Sequence, residues 1–252
     1  MDVHYPPLDQ AATREYILAV LQDMHRQQCQ WDPEADRGAE LTLETTVAEW
    51  RDACALLGWK PLGRAYNVFW GVSITDAEWR AVLEPSQEKR LADVCELLAS
   101  RATRPTIRPA RLLGCNCAPA GAFLTIRSLL FDAGEGAADE IAPSTPLAPY
   151  FRRHTNVFLG PVSRLAPGVL PPVRIRNPLY DAALLGSGVG LLAALIGACV
   201  SPWLVAVGAF LFVLGWALTW YAARWRLPAS VEFGELRTFR DLAVVVAQGK
   251  PA

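Results

Sequence analysis

The chain has 252 residues, 52% of them apolar and 19% charged, and a mean hydropathy of +0.18. That composition excludes a disordered, collagen-like or disulfide-scaffold chain. The near balance of 24 Lys and Arg against 25 Asp and Glu also excludes a dedicated nucleic-acid binder, whose domain would be strongly basic. What remains is a membrane-attached protein.

Residues 1–131 read as a mainly helical domain. Asp9 or Thr13 is placed to cap a first helix with Ile17, Leu18, Leu21 and Met24 on its apolar face. Thr46 with Glu49 has capping-box spacing, ahead of Val47, Trp50, Cys54 and Leu57, and Gly58 stops that helix. Thr75 with Glu78 repeats the signature before Trp79, Val82 and Leu83. Ser86 is placed to cap a helix bearing Leu91, Val94, Cys95 and Leu98, and a last helix runs over about 119–131 after a glycine-cysteine turn. Strand-like alternation is scarce, so the fold class read from the pattern is all-α.

Trp31, Trp50, Trp59, Trp70 and Trp79 are dense for a domain of this size and are read as core, since each ring buries up to about 250 Å². Charge is segregated along this region. Residues 1–100 carry 17 acidic and 9 basic side chains, whereas 101–131 carry Arg101, Arg104, Arg108, Arg111 and Arg127 and no acid. Two readings of that basic island stand: it rests against anionic headgroups, at about 1 kcal/mol per arginine near the surface, or it pairs with the acidic first hundred residues.

Residues 132–178 hold eight prolines and read as a Pro-rich linker with a short interfacial helix, opening at Thr145-Pro146 and rich in Tyr150, Phe151, Phe158, Val162 and Leu165. Its end, 167–178, reads as a semi-rigid stalk.

From Ala182 to Ala223 there are 42 consecutive uncharged residues. One helix of that length would be about 63 Å long, roughly twice the ~30 Å hydrocarbon core. The chain must fold back, and Ser201-Pro202 is the break, because proline lacks an N–H and disfavours helix at the residue before it. The expected spans are 182–200 and 203–223 within a hairpin of 179–225. Arg164, Arg174 and Arg176 precede the first span, Arg224 and Arg226 follow the second, and the turn has no cation, so the positive-inside rule predicts both termini cytoplasmic in an inner or plasma membrane. Tyr180, Trp203, Trp220, Tyr221 and Trp225 fall near the expected interfaces. Helix packing is expected through small residues: Gly186, Gly190, Ala194 and Ala198 at four-residue spacing, and Gly208, Gly215 and Ala222 at seven. Such a stripe either zips the hairpin or serves a homo-oligomer. No Asp, Glu, Lys, Arg or His lies inside the spans, which argues against a transporter.

In the tail, 226–252, an amphipathic helix is expected within 233–248, packing back on the cytoplasmic domain. Chemistry-bearing motifs are few. Cys115 and Cys117 stand one residue apart, and Cys29 follows His25 by one helical turn; these four are the candidate metal or redox residues, although a structural zinc site normally shows two close pairs at recognised spacings. The reducing cytoplasm makes disulfides unexpected. There is no HExxH, Walker loop, complete G-x-S-x-G or strand-borne G-x-G-x-x-G, so no catalytic residues and no cofactor are implied.

The leading expectation is therefore a membrane-anchored cytoplasmic binding or regulatory module rather than an enzyme. Its partners would be the lipid bilayer and a protein or a second copy of itself, not nucleic acid. The expected membrane-surface cations are Arg101, Arg104, Arg108, Arg111, Arg174, Arg176, Arg224 and Arg226. The two other readings are a membrane-tethered thiol- or metal-dependent enzyme using Cys115 and Cys117, and an oligomerising hairpin effector or pore. The use of 21 Arg against 3 Lys points to a GC-rich bacterial genome.

Overall fold

In the computed structural model the described residues are 4–112, 114–176, 178–224 and 230–249. The chain is mostly helical with few short strands, and it divides into two units: Met1–Val173 with Phe233–Ala252, and Arg174–Glu232.

The first unit is built around five helices, α1 (Arg14–Gln28), α2 (Val47–Ala53), α3 (Trp59–Trp70), α4 (Asp76–Leu83) and α5 (Leu91–Ala99). Thr13, rather than Asp9, caps α1, its hydroxyl accepting the Tyr16 N–H at 3.2 Å. Both capping boxes form, Thr46 with Glu49 and Thr75 with Glu78. Ser86 does not cap the next helix: α5 starts later, and the Asp93 carboxylate accepts the Arg90 N–H at 3.0 Å. Helix α3 has no counterpart in the sequence reading. Its N-cap is Gly58, which offers no side chain to the open N–H groups, and it ends at Gly71 in the left-handed conformation, φ 66°. The five helices enclose one apolar core in which Tyr16, Trp50, Tyr66, Trp70 and Trp79 meet edge to face. Gly63 permits this: a methyl group there would stand 2.6 Å from the Trp79 ring. Trp50, Trp70 and Trp79 are core as expected, but Trp31 is 42% exposed and Trp59 half-buried.

Strands are present after all, as short antiparallel ribbons. β1 (Leu8–Ala11) pairs β2 (Thr103–Thr106), with Leu8 opposite Thr106, and β3 (Ala110–Leu112) pairs β4 (Cys115–Cys117), with Ala110 opposite Cys117. They run into α6 (Ala118–Asp132), whose Gly121 lies so close to the β2–β3 connection that a methyl there would meet the Arg108 carbonyl oxygen at 2.1 Å.

Residues 132–173, read from sequence as a free Pro-rich linker, are folded into this unit. A 3-10 turn (Ala138–Glu140) leads to α7 (Ala148–Arg153), then to a continuous helical stretch, α8 (Thr155–Val157), a π-helical turn (Phe158–Val162) and α9 (Ser163–Leu165). Pro161 sits inside the π turn, where a missing N–H costs least because the ladder is already interrupted. Of the apolar residues expected at a membrane interface, Phe151, Phe158, Val162 and Leu165 are buried and Tyr150 is half-buried, so they are spent in a second core along with Leu170 and Val173. Phe233 and Phe239, from beyond the hairpin, complete it, with the Phe151 and Phe233 rings 4.6 Å apart. The C-terminal helix of this unit, Phe239–Gln248, is capped by a Thr238–Asp241 box, packs on α6, and buries Phe239, Leu242 and Val246.

β5 (Val173–Arg176) pairs with β6 (Ser230–Phe233) where the chain passes between the units, and the second unit carries two long apolar helices, α10 (Pro178–Val200) and α11 (Pro202–Arg224); in order along the chain, the Phe239–Gln248 helix is α12. Ser201 alone forms the turn: its N–H donates to Gly197 O at 2.8 Å and its carbonyl accepts from Leu204 N at 3.1 Å. Ser187 and Thr219 donate to the carbonyls four residues back at 2.9 and 2.8 Å, so their hydroxyls need no solvent.

The helix contact differs from the four-residue stripe read from sequence. A methyl group added at Gly190, Gly197, Gly208 or Gly215 would stand 2.4, 2.5, 2.3 or 2.5 Å from the facing helix, whereas nothing lies within 4 Å of such a group at Gly186. Ala183 and Ser187 are buried, and Ala198 is exposed. The contact therefore follows 183, 187, 190, 194 and 197. The reason is geometric: at about 100° per residue, steps of four drift by about 40° each, while alternating four and three stay nearly in line. Of the predicted packing residues, Gly190, Ala194, Gly208 and Gly215 make the contact, Gly186 and Ala198 do not, and the Ala222 side chain lies outside the described residues.

This packing gives a paired test. Gly190→Leu forces the helices apart and should lower the melting temperature of the detergent-solubilised protein by several degrees, whereas Gly186→Leu should leave it unchanged; equal effects would place the contact elsewhere.

Candidate functional site

Helix α1 ends at Cys29, one turn beyond His25. The Sγ of Cys29 and Nε2 of His25 are in contact at 3.4 Å, both side chains are buried, and both line a cleft of about 410 Å³ with Gln22, Arg26, Arg37 and Glu40. A thiol beside an imidazole suggests nucleophilic chemistry, but the electrostatics oppose it. Burial pushes the Cys29 thiol up, outweighing the opposite pull of the Arg37 guanidinium. The thiol also sits at the C-terminal end of its helix, where the partial negative charge disfavours a thiolate; activated thiols are typically found at helix N-termini. The cleft thus holds a neutral thiol.

The second candidate pair, Cys115 and Cys117, lies on β4, where two-residue spacing sets both side chains on one face of the strand. Cys115 is exposed, and Cys117, the N-cap of α6, is half-buried. Among the described residues no group of three or more His, Cys, Asp and Glu side chains comes together to hold a metal ion. The four thiol and imidazole candidates remain two separate pairs, and neither meets the ligand count of a structural zinc site.

The polar centres that do assemble were not singled out from the sequence. Asp23, 1% exposed at its side chain, accepts from Arg26 Nη2 at 2.6 Å and from Ser163 Oγ at 2.5 Å, while Arg26 Nη2 also donates to Leu170 O at 2.5 Å. Gln27 accepts the Val173 N–H at 3.0 Å. Arg164, read from sequence as a flanking cation of the membrane segment, is consumed internally: it donates to Phe69 O and Thr103 O, each at 3.1 Å, and lies 4.7 Å over the Trp70 ring. These bonds fasten 163–173 to α1 and the core. A second centre joins the 134–137 loop to the end of α7. There the buried Glu135 carboxylate bonds His154 Nε2 and Arg153 Nη1, each at 2.9 Å, and the His154 bond in the first place holds the carboxyl below its ordinary range. Asp23 and Arg26 stand at an ordinary helix-surface spacing that does not signal burial, while Ser163 and His154 lie 140 and 19 residues from their carboxylate partners and leave no spacing signal, so neither centre was legible.

The basic island is less neutralised than pairing would make it. Arg101 bonds Glu78 at 2.9 Å. Arg104, Arg108 and Arg127 instead lie 5.3, 5.5 and 5.8 Å over the rings of Tyr16, Tyr5 and Phe123. Arg111 on β3 and Arg174 on β5 are exposed. Arg176 and Arg224 end β5 and α11, and Arg226 lies outside the described residues.

No protein-family model matches the chain, and no curated protein or solved structure matches it significantly.

The thiols give a measurable pH dependence. Burial, first, pushes Cys54 and Cys95 up to about 12 in the folded chain from an ordinary 9.0. Between those limits the unfolded state has lost the proton and the folded state keeps it, so stability falls as pH rises above 9, by about 1.4 kcal/mol per pH unit for each fully buried thiol. Urea midpoints measured from pH 8 to 10 should drop steadily, and a Cys54→Ala, Cys95→Ala variant should show a flatter slope over pH 9–10, below the range in which Tyr66 begins to contribute.

Proposed function

We propose that the chain is a two-span membrane protein whose helical unit acts on the cytoplasmic face as a binding or regulatory module. The observation that carries this reading is the surface of α10 and α11. Among the described residues, 20 of the 25 exposed large apolar side chains lie between Tyr180 and Tyr221. Over the most apolar windows only 22% and 11% of residues are buried, at mean hydropathies of 2.2 and 1.9. Helices serving as a soluble core would be covered, and water-exposed ones would carry a polar stripe. Lipid is the solvent that suits a surface of this kind.

Sidedness has two supports. Arg174, Arg176, Arg224 and Arg226 flank the helix pair and Ser201 alone joins it, which favours cytoplasmic ends. Independently, the first unit is assembled from chain on both sides of the hairpin, with α12 on α6 and Phe233 beside Phe151. A chain of this build favours keeping both flanks on one side of the bilayer.

The other readings gain less. The thiol or metal enzyme finds no third ligand near Cys115 and Cys117 among the described residues. The oligomerising pore depends on a free small-residue stripe, and the glycines with the closest approaches are used within the hairpin.

Alkaline carbonate should leave the full chain in the membrane pellet. In sealed cells, an impermeant maleimide should label a Ser201→Cys variant and spare Cys115 until the membrane is permeabilised. Release into the supernatant would remove the membrane reading, and labelling of Cys115 in sealed cells would reverse the sidedness.

A further inference from the structure

We propose that the arginines at the corner of β3, β4 and α6 form a docking face for the phosphates of anionic lipids. The proposal rests on the membrane-anchored reading and names the ligand chemistry of its helical unit.

The corner is one connected structure. Arg108 lies over the Tyr5 ring, and the Tyr5 hydroxyl donates to the Arg108 and Pro109 carbonyls, each at 3.2 Å. The Tyr5 N–H in turn donates to Ser128 Oγ at 3.3 Å, on α6 next to Arg127. The Arg108 carbonyl abuts Gly121, earlier in the same helix. Arg111 follows on β3, opposite Asn116, and Arg104 lies one strand back, on β2 over Tyr16.

None of these four arginines has a carboxylate within ion-pair distance among the described residues, and their stretch, 103–131, contains no acid. Asp9 on β1 accepts from Thr103 Oγ1 at 3.2 Å, and Asp132 at the end of α6 is 3.9 Å from His4. A cation left over an aromatic face keeps its outward N–H fork available, and that planar fork matches a phosphate bidentately. The Tyr5 ring beneath Arg108 is also a pairing suited to the boundary between headgroups and water, whereas Tyr16 beneath Arg104 is buried in the core.

A lipid rather than a soluble anion is favoured because the proposed anchor tethers the unit to a bilayer, which raises the local concentration of headgroups, and each basic residue adds attraction within about one Debye length of an anionic surface. The competing occupant is the acidic surface of a second copy, which includes Asp36, Glu40, Glu49 and Asp52 around one cleft.

Cys115 is the reporter, since it is exposed and pairs with Leu112 beside Arg111. The full chain, with Cys117→Ser and Cys199→Ala, is placed in nanodiscs of phosphatidylcholine alone or with phosphatidylglycerol, and the rate of maleimide labelling is measured. Anionic lipid should slow labelling roughly fivefold, and high salt should restore it. The combined Arg108→Gln, Arg111→Gln, Arg127→Gln variant should lose the protection, and the corresponding Lys variant should keep most of it. If the Gln variant no longer melts cooperatively, the salt and lipid arms decide alone. Equal rates in the two lipids overturn the proposal, as does protection that ignores lipid charge but disappears on dilution, which marks the second copy. Failure of the chain to enter nanodiscs at all counts instead against the anchored reading.

Discussion

Two helices that meet through their smallest residues must turn their largest ones outward. The backbone of α10 approaches that of α11 so closely at Gly190 and Gly208 that a methyl on either would stand 2.4 or 2.3 Å from the facing nitrogen. Close approach lets dispersion and weak C–H···O contacts replace the side-chain burial that drives soluble helices together. It also inverts the usual section of a helix pair, since Leu185, Val200, Phe210 and Trp216 then have no place except the outside. The hairpin is thereby a poor soluble element and a good bilayer one, and the membrane reading of the chain follows from this arrangement more than from hydropathy alone.

The first unit obeys the opposite rule, with aromatics inside and charges fixing the chain at its edges. Its distinctive feature is that it is built from residues on both sides of the hairpin. Phe233 and Phe239 fill the same cluster as Phe151 and Phe158, and the segment leading out of the unit is held by Asp23, Arg26, Gln27 and Arg164. A buried carboxylate such as Asp23 is tolerable only while Arg26 and Ser163 both bond it, since an unpaired charge there costs several kcal/mol. The exit strand is therefore specified by polar geometry, whereas the entry strand after the hairpin is specified by apolar burial.

These two modes explain what the sequence disclosed. Capping boxes and the Ser201-Pro202 break depend on residues a few positions apart, and both were legible, but the helix read through Leu57 to a stop at Gly58 ends at Ala53, leaving Leu57 63% exposed, because Gly58 starts α3 instead. Helix α3 escaped because Gly58 carries no capping side chain, and Ser86 misled because Asp93 satisfies the α5 N-terminus instead. Residues 132–173 read as a linker because proline density mimics an extended stalk, while the partners that bury Phe151 and Phe158 come from beyond the hairpin. The packing stripe was assigned to the right glycines in part only, for a four-residue spacing is a pattern in the sequence and three-and-four alternation is the one that stays on a helix face. His25 and Cys29 do touch, as their spacing implied, yet burial at that site pushes the thiol up.

Charge segregation takes on a structural meaning once the arginines are located. Had the island at 101–127 been recruited to neutralise the acidic first hundred residues, its guanidinium groups would lie against carboxylates, as Arg101 does with Glu78 and Arg26 with Asp23. Arg104, Arg108 and Arg127 lie on rings instead. A ring attracts a cation without cancelling its charge, so the stacking orders the side chain and leaves its field intact. Ordering is the costly part of recruiting an arginine, whose free side chain carries about 2 kcal/mol of rotamer entropy. Aromatic stacking lowers that cost before any anion arrives, which makes the corner a preorganised cationic surface rather than a set of unpaired charges.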